Sequence, residues 1–477
     1  MQIALIVVVL AALAVARSGN PLPVSGVGWR LMVVALGVAA VSLFALASSI
    51  LIARGLKADS PRHRRLLARF RNLRRLHMAL WLAASGGIIY WLGWGQLVRF
   101  NWGLDGAFLL DDLLILTPVL LPLVFSWAAF YEVERAVWVF VDKRASKPLP
   151  GCKRWQYVAL HVRHHLGILL IPVLALLAVQ DGIEIFAPGL LENGHDAVLL
   201  GSLLAVLLVL FPLMLKYVWR THPLPPGPLR SRLEQSAGRS GVRARDILVW
   251  ETDGMVLNAA VSGVFRGLRY IFLTDALLRY LGDEEIEAVF GHEAGHVKHR
   301  HLTLRMMAMV APLSLWLLAE QMFPGLSGLS GQWSSEFGFS GLEFSGFDGG
   351  VAEHARDGLC LLAAMTIYVT VVFGPYSRLL EHQADLFSLR SLPIDGGTHP
   401  LKTIGSALEK LAANGAANRN TRSWQHASIA RRVDFLNRID TEPKRELHFQ
   451  RRMIVANCFV VGVVFSPILG RLLSVSG

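Results

Sequence analysis

The chain has 477 residues, 53% of them hydrophobic and only 17% charged, with a net charge of +12; its mean hydropathy is +0.45 and its pI about 9.9. Soluble domains carry about 25% charged residues, so composition argues against a wholly soluble chain and for a bilayer. The Lys and Arg residues cluster between apolar runs, the pattern of cytosol-facing loops and not of a nucleic-acid-binding face. Cys152, Cys360 and Cys458 are odd in number and widely spaced, which gives neither a disulfide framework nor a Cys-type zinc site. Cys360 and Cys458 lie in apolar runs and read as small hydrophobes.

Crossing the hydrocarbon takes about 20 mostly apolar residues. Nine stretches are candidates, approximately 2–16, 30–53, 77–98, 107–130, 165–180, 197–217, 303–322, 358–374 and 453–474. The first is short, and Ala14-Val15-Ala16 faintly resembles a signal-peptidase site; no basic n-region precedes it, so an uncleaved span is expected. The fifth and eighth are also short, which leaves about seven to nine spans. The loop 54–76 carries a run of Lys and Arg against the single acid Asp59, and 131–164 is also basic. In contrast, 181–196 and 323–355 hold acids (Asp181 and Glu184, Glu336 and Glu343 among them) and no Lys or Arg. With nine spans the loops alternate, and the N-terminus, 54–76, 131–164, 218–302 and 375–452 are expected to face the cytosol. Asp111 and Asp112 interrupt an apolar run that also holds Pro118 and Pro122. Intramembrane acids are functional candidates by default, and these two either line a watery chamber or sit at the outer interface.

Two segments break the membrane pattern. Residues 218–302 open on the turn-rich His222-Pro223-Leu224-Pro225-Pro226-Gly227. They then read as short strands at 246–251 and 268–273, a third at 256–264, and a helix from 283. Residues 375–452 are helical at first and then loop-rich. The plan is a membrane-embedded helical region (1–219), a first polar part (220–302), two further spans with a Gly/Ser-rich outer loop at 325–350 (303–374), a second polar part (375–452) and a C-terminal span (453–477).

The chemistry is carried by Gly291-His292-Glu293-Ala294-Gly295-His296. On a helix, residues i and i+4 share a face, so His292 and His296 can present both imidazoles to one ion. Glu293 then stands beside that ion, placed to take a proton from its bound water. Asp283 is the expected cap, Glu284, Glu285 and Glu287 suit the positive N-terminal end, and Ile286, Val289 and Phe290 form a buried stripe. By chance HExxH occurs in roughly one in fifty chains of this composition. A second motif, Ser377-Arg378-Leu379-Leu380-Glu381-His382-Gln383-Ala384-Asp385, follows an apolar run. Glu381 is the expected third ligand, which leaves a fourth zinc position for water. Asp385, one turn on, is placed to accept the outer N–H of a ligating His. His299 and His301 follow the first motif with no third partner at ligand spacing and read as surface or interfacial residues.

HExxH with a distant ExxxD resembles the gluzincins, and the apolar flanks with Ser377-Arg378 resemble their membrane branch of CAAX prenyl endopeptidase and HtpX-like type. Leu257-Asn258-Ala259 with Gly263 is similar to that branch's edge-strand motif. Trp424-Gln425-His426-Ala427-Ser428, with Arg432 six residues after His426, is similar to its late His segment, with Ala427 where Pro is usual. The specific motifs cover roughly 220–440; over 1–219 the likeness is in hydropathy alone. The resemblance implies a mainly α, polytopic membrane protein with a cytosolic gluzincin-type zinc peptidase domain carrying a small β-sheet. It implies one zinc ion and a peptide or protein substrate at the membrane. It also implies that Asn258 and Ala259 hold the substrate backbone, and that His426 stabilises an oxyanion with Arg432 in support. Taken alone, Asn258 also suits a turn and His426 a solvated surface. No GxxxxGK[ST] loop is present, so no nucleotide is expected. Two other readings stay open: an intramembrane site-2-type protease, disfavoured by the charged flanks of the first motif, and a transporter or scaffold with a structural metal, which would need a fourth protein ligand.

Overall fold

The computed structural model describes residues 2–17, 22–23, 26–57, 63–142, 152–187, 189, 195–323, 364–393, 399–414 and 427–475. The protein is mainly helical with one four-stranded sheet. Its described residues fall into two compact units, divided between Leu208 and Val209.

Among the described residues, six helices are long and apolar enough to cross a bilayer: Val27–Leu56, Leu110–Val137, Arg154–Phe186, Gly201–Val218, His301–Ala319 and Pro443–Gly470. The pair Arg65–Trp91 and Trp94–Asn101, bent by 53°, makes a seventh if it is taken as one span. The count among the described residues agrees with the lower end of the expected seven to nine. The first stretch forms the shorter apolar helix Ala4–Arg17, the third is the bent pair, and the eighth is described only from residue 364, while Cys360 and the loop 325–350 lie outside the described residues.

In the first unit, helices Val27–Lys57 and Leu110–Asp142 share a core of Ala45, Ile52, Phe70, Phe130 and Val133. Asp111 and Asp112 are buried, and the Arg99 guanidinium lies 3.0 and 2.8 Å from their carboxylates. They are members of an ion-pair cluster, which neither sequence reading foresaw.

The second unit holds the sheet, in the order β1-β2-β4-β3. The strands are β1 (Thr221–Pro223), β2 (Asp246–Trp250), β3 (Ala259–Ser262) and β4 (Tyr270–Thr274). Three match the sequence expectation to within a few residues. β1 was not foreseen, since its three residues open the proline-rich turn and pair only through β2. β2 and β4 are parallel and β3 is antiparallel to β4, which leaves β3 as an edge strand. Alternation sends Ile247, Val249, Ile271 and Leu273 into the core shared with Ile286 and Phe290 of the helix Asp283–Lys298. Leu248, Trp250, Tyr270 and Phe272 are of opposite parity, and there Trp219 stacks on Trp250 with ring centroids 4.0 Å apart.

Helix Asp283–Lys298, which carries the first motif, starts at Asp283 itself, so the cap lies one residue earlier than expected. Gly282 takes the cap position, its N–H donating to Glu285 at 2.9 Å. Glu285 also accepts from Ser406 and Lys410 of helix Pro400–Asn414, at 2.6 and 2.7 Å. Glu287, fully buried, is clamped by Arg232 and Arg239 of helix Pro228–Ser240, at 2.5 and 2.6 Å. The far side packs on helix Gly374–Ser391, which carries the second motif. Here the glycines matter: a Cβ at Gly295 would lie 3.0 Å from the Ala384 Cα, and one at Gly291 3.1 Å from Ser391 Oγ. The helices close to backbone contact because both positions lack side chains.

Gly295→Val is accordingly expected to cost about 1–3 kcal/mol through overpacking, read as a lowered thermal unfolding midpoint of the detergent-solubilised protein. An unchanged midpoint would mean that the helix contact is slack.

Candidate metal centre

Each candidate ligand is aimed by its helix. His292 and His296, one turn apart, face Glu381 across the glycine contact, and their ligand atoms all lie within 4.8 Å of one another. The two Nε2 atoms are 3.2 Å apart, with Glu381 oxygens 3.7 Å from His292 Nε2 and 3.6 Å from His296 Nε2. Zinc bonds of about 2.0–2.2 Å at tetrahedral angles separate ligand atoms by about 3.3–3.6 Å. The donor set therefore fits one zinc ion in spacing and in chemistry. Glu293 lines the same cavity, of about 330 Å³, together with Asn258 to Val261 and Arg432.

Asp385 lies one turn beyond Glu381 and is 1% exposed. Its Oδ1 is 2.8 Å from His292 Nδ1, and it also accepts from Arg432 Nε at 2.8 Å and from Arg432 Nη2. Burial alone would push its carboxyl pKa up, but the adjacent guanidinium and imidazole outweigh it and hold the group well below the usual carboxylate range. For His292 burial likewise works downward, yet the Asp385 carboxylate prevails and raises the imidazole to about 9. His296 moves the other way, well below 6.5, through burial and the neighbouring His292. Arg432, expected to support His426, here grips Asp385, and its Nη2 is also 3.3 Å from His292 Nδ1. Buried against Asp385, its pKa is raised. His426 itself lies outside the described residues.

Asn258 is exposed at the head of β3, with its backbone N–H and C=O both bonded to Thr274. Ala259, next along β3, lines the cavity, and β3 has no second strand partner among the described residues.

His301 is not a surface residue; it is fully buried. Arg300, at φ 55°, breaks the chain between the motif helix and helix His301–Met322 and turns His301 back toward the site. Its Nδ1 lies 2.8 Å from His296 Nδ1 and its Nε2 3.0 Å from Gln383 Oε1, while Gln383 Nε2 donates to Gln450 at 3.1 Å. If His296 keeps Nε2 as a lone pair for a metal, its Nδ1–H donates to His301, whose Nε2–H then donates to Gln383. The direction of the chain follows from one tautomer. Arg305, four residues on, donates to Glu381 Oε1 at 2.5 Å. Sequence reasoning missed Arg305, Gln383 and Gln450. The available signal was the i, i+4 spacing of His301 and Arg305, which puts both on one helix face.

Residues 223–399 match the sequence model of peptidase family M48. Similar proteins include an HtpX protease homologue of Thermoplasma acidophilum, 33% identical over 223 residues, covering 44% of this chain and 60% of the relative. A CAAX prenyl protease 1 homologue of Arabidopsis thaliana is 26% identical over 250 residues, 50% of this chain and 54% of the relative. The chain thus spans less than two thirds of either relative. The crystal structure of S. mikatae Ste24p aligns over 88% of this chain and 100% of its own, with 18% identity and a TM-score of 0.43, a likeness too loose to bear on the fold. The matched stretch contains His292, Glu293, His296, Glu381 and Asp385, so the likeness to peptidase family M48 covers the candidate metal centre.

Proposed function

We propose that the protein is a zinc-dependent integral-membrane endopeptidase, with His292, His296 and Glu381 as ligands and Glu293 as general base. The observation that carries this reading is the convergence of those three ligand groups and Glu293 on one cavity bordered by an edge strand. Relatives described as HtpX and CAAX prenyl proteases support it. A bound zinc supplies Lewis-acid polarisation of the scissile carbonyl and a lowered pKa for the attacking water. Glu293 takes the proton of that water and passes it to the leaving amine. Asp385 accepts from His292 Nδ1 and so leaves Nε2 for the metal, and Arg432 keeps Asp385 ionised and oriented. The unpaired edge of β3, headed by Asn258 and Ala259, takes the substrate as an added strand. His426 donates to the developing oxyanion. Loop charge supports a site at the cytosolic face, within reach of membrane-associated, lipidated or misfolded proteins. The motif helix is not among the apolar spans, which speaks against the site-2-type reading, and three protein ligands beside an open cavity speak against a closed structural metal.

Two variants test the catalytic roles. Glu293→Gln is expected to keep one zinc per chain by elemental analysis while hydrolysis falls by more than the roughly 10²–10⁴-fold of general acid–base catalysis alone; substantial residual turnover would assign the base elsewhere. His426→Ala is expected to lower kcat by about 10²–10³-fold with KM and zinc content unchanged. Loss of zinc in that variant would make His426 a ligand.

Metal affinity carries a further signature. The metal-free protein keeps the His292 proton below a pKa of about 9, and ligation must displace it. Zinc affinity therefore rises with pH by about tenfold per unit below that value and levels off above it. Chelator competition at pH 7 and pH 8 measures the slope, and a flat profile would remove the proton competition. At fixed pH, His301→Ala is expected to weaken zinc binding by about 10–100-fold; unaltered affinity would reduce His301 to a packing residue.

A further inference from the structure

Between the spans Gly201–Val218 and His301–Ala319, the exposed large hydrophobic side chains are Val264 and Phe265, 45% and 57% exposed. They are adjacent, on the turn that joins β3 to β4. A surface that otherwise buries its large apolar groups does not leave two together at a tip without cost.

The turn is built. Gly263 has φ 112°, and a Cβ there would lie 2.5 Å from the Leu268 carbonyl oxygen, so only glycine fits. Arg269 donates to the carbonyls of Gly263 and Arg243, each at 3.0 Å, and to that of Val264. Arg245 donates to the Gly267 carbonyl at 3.2 Å. Arg243, Arg245 and Arg266 are exposed around the apolar pair. No Asp or Glu occurs from Ser236 to Arg245 or from Gly254 to Thr274.

The turn also lies near the end of an apolar helix. Ser262, the residue before Gly263, pairs with Tyr270, and the Lys216 ammonium in the last turn of Gly201–Val218 sits 5.6 Å from the centre of the Tyr270 ring. On the other side, Lys298, three residues before the span His301–Ala319, donates to the Ser240 carbonyl at 3.2 Å, close in sequence to Arg243. Apolar side chains ringed by arginine at that level suit the boundary between acyl chains and anionic headgroups.

We propose that the Gly263–Leu268 turn is a membrane-docking tip. Val264 and Phe265 enter the bilayer interface, and Arg243, Arg245 and Arg266 bind acidic phospholipid headgroups. Docking pins the end of β3, the strand that lines the catalytic cavity, at the membrane surface.

The test uses the full chain with Phe265→p-benzoylphenylalanine, reconstituted in phosphatidylcholine vesicles with or without phosphatidylglycerol and irradiated. Lipid adducts are expected at 265, favoured by the anionic lipid, and none from the same probe at exposed Gln235. Arg243→Glu and Arg266→Glu are each expected to lower the yield about fivefold. Equal yields in neutral and anionic vesicles, adducts with a second copy of the chain, or adducts only with an added peptide would overturn the proposal. The two lipid compositions are compared on the same preparation, so the outcome does not hinge on how the arginine variants fold. The crosslink needs no turnover and can be run in Glu293→Gln, which separates its failure from failure of the peptidase reading.

Discussion

The site rests on the close approach of two helices. Gly291 and Gly295 lie on the face of Asp283–Lys298 that meets Gly374–Ser391, where Ala384 and Ser388 present backbone and small side chains. Each glycine directly precedes a candidate ligand histidine, so one helix turn carries both the contact and the chemistry. A wider spacing would move Glu381 away from the two imidazoles, and no rotamer of so short a side chain could recover ångströms of separation. The helix tolerates two glycines, each costing about 1 kcal/mol against alanine, because packing and the Glu285 and Glu287 clamps hold it from three sides.

Electrostatics refine what packing brings together. Glu293, Glu381 and Asp385 share the cavity with Arg305 and Arg432, and the charge that two guanidiniums leave unmatched is met by the His292 proton that a metal would displace. The arginines are not interchangeable. Arg432 grips both oxygens of Asp385 and acts on His292 through it, while Arg305 holds one oxygen of Glu381 directly. Planar guanidinium groups suit such roles, since they fix the orientation of a carboxylate as well as its charge. The two histidines are treated oppositely by their surroundings, His292 drawn toward its protonated form by Asp385 and His296 held neutral by burial.

The second unit also ties this centre to helices that suit a bilayer. His301 opens one apolar helix and Gln450 lies in another, and both belong to the hydrogen-bond chain that starts at His296. A tilt of either helix would be felt at the candidate ligand His296 through three polar contacts. The edge strand β3 has its own tether, a turn locked by Arg269 beside the end of a third apolar helix.

Much of this was legible in the sequence, because it depends on local periodicity. The HExxH spacing places two histidines on one helix face, ExxxD places Asp385 one turn beyond Glu381, and period-2 runs mark β2 and β4. Low charge and long apolar runs mark the membrane helices, though they do not show that the third run is bent. What lay beyond the sequence depends on turns and on pairings between distant segments. His301 follows His296 by five residues, off the helical repeat, and reaches it only because Arg300 adopts a left-handed conformation. Arg305 meets Glu381 across 76 residues and Arg432 meets Asp385 across 47, and nothing in the local pattern of either arginine marks its partner. Asp111 and Asp112 were visible as acids within an apolar run, but Arg99 as their counter-ion was not. The sequence by itself determined which groups could do chemistry, since residue type and helical spacing are local properties. Which of those groups meet, and which arginine serves which carboxylate, was decided only by the tertiary contact of helices far apart in the chain.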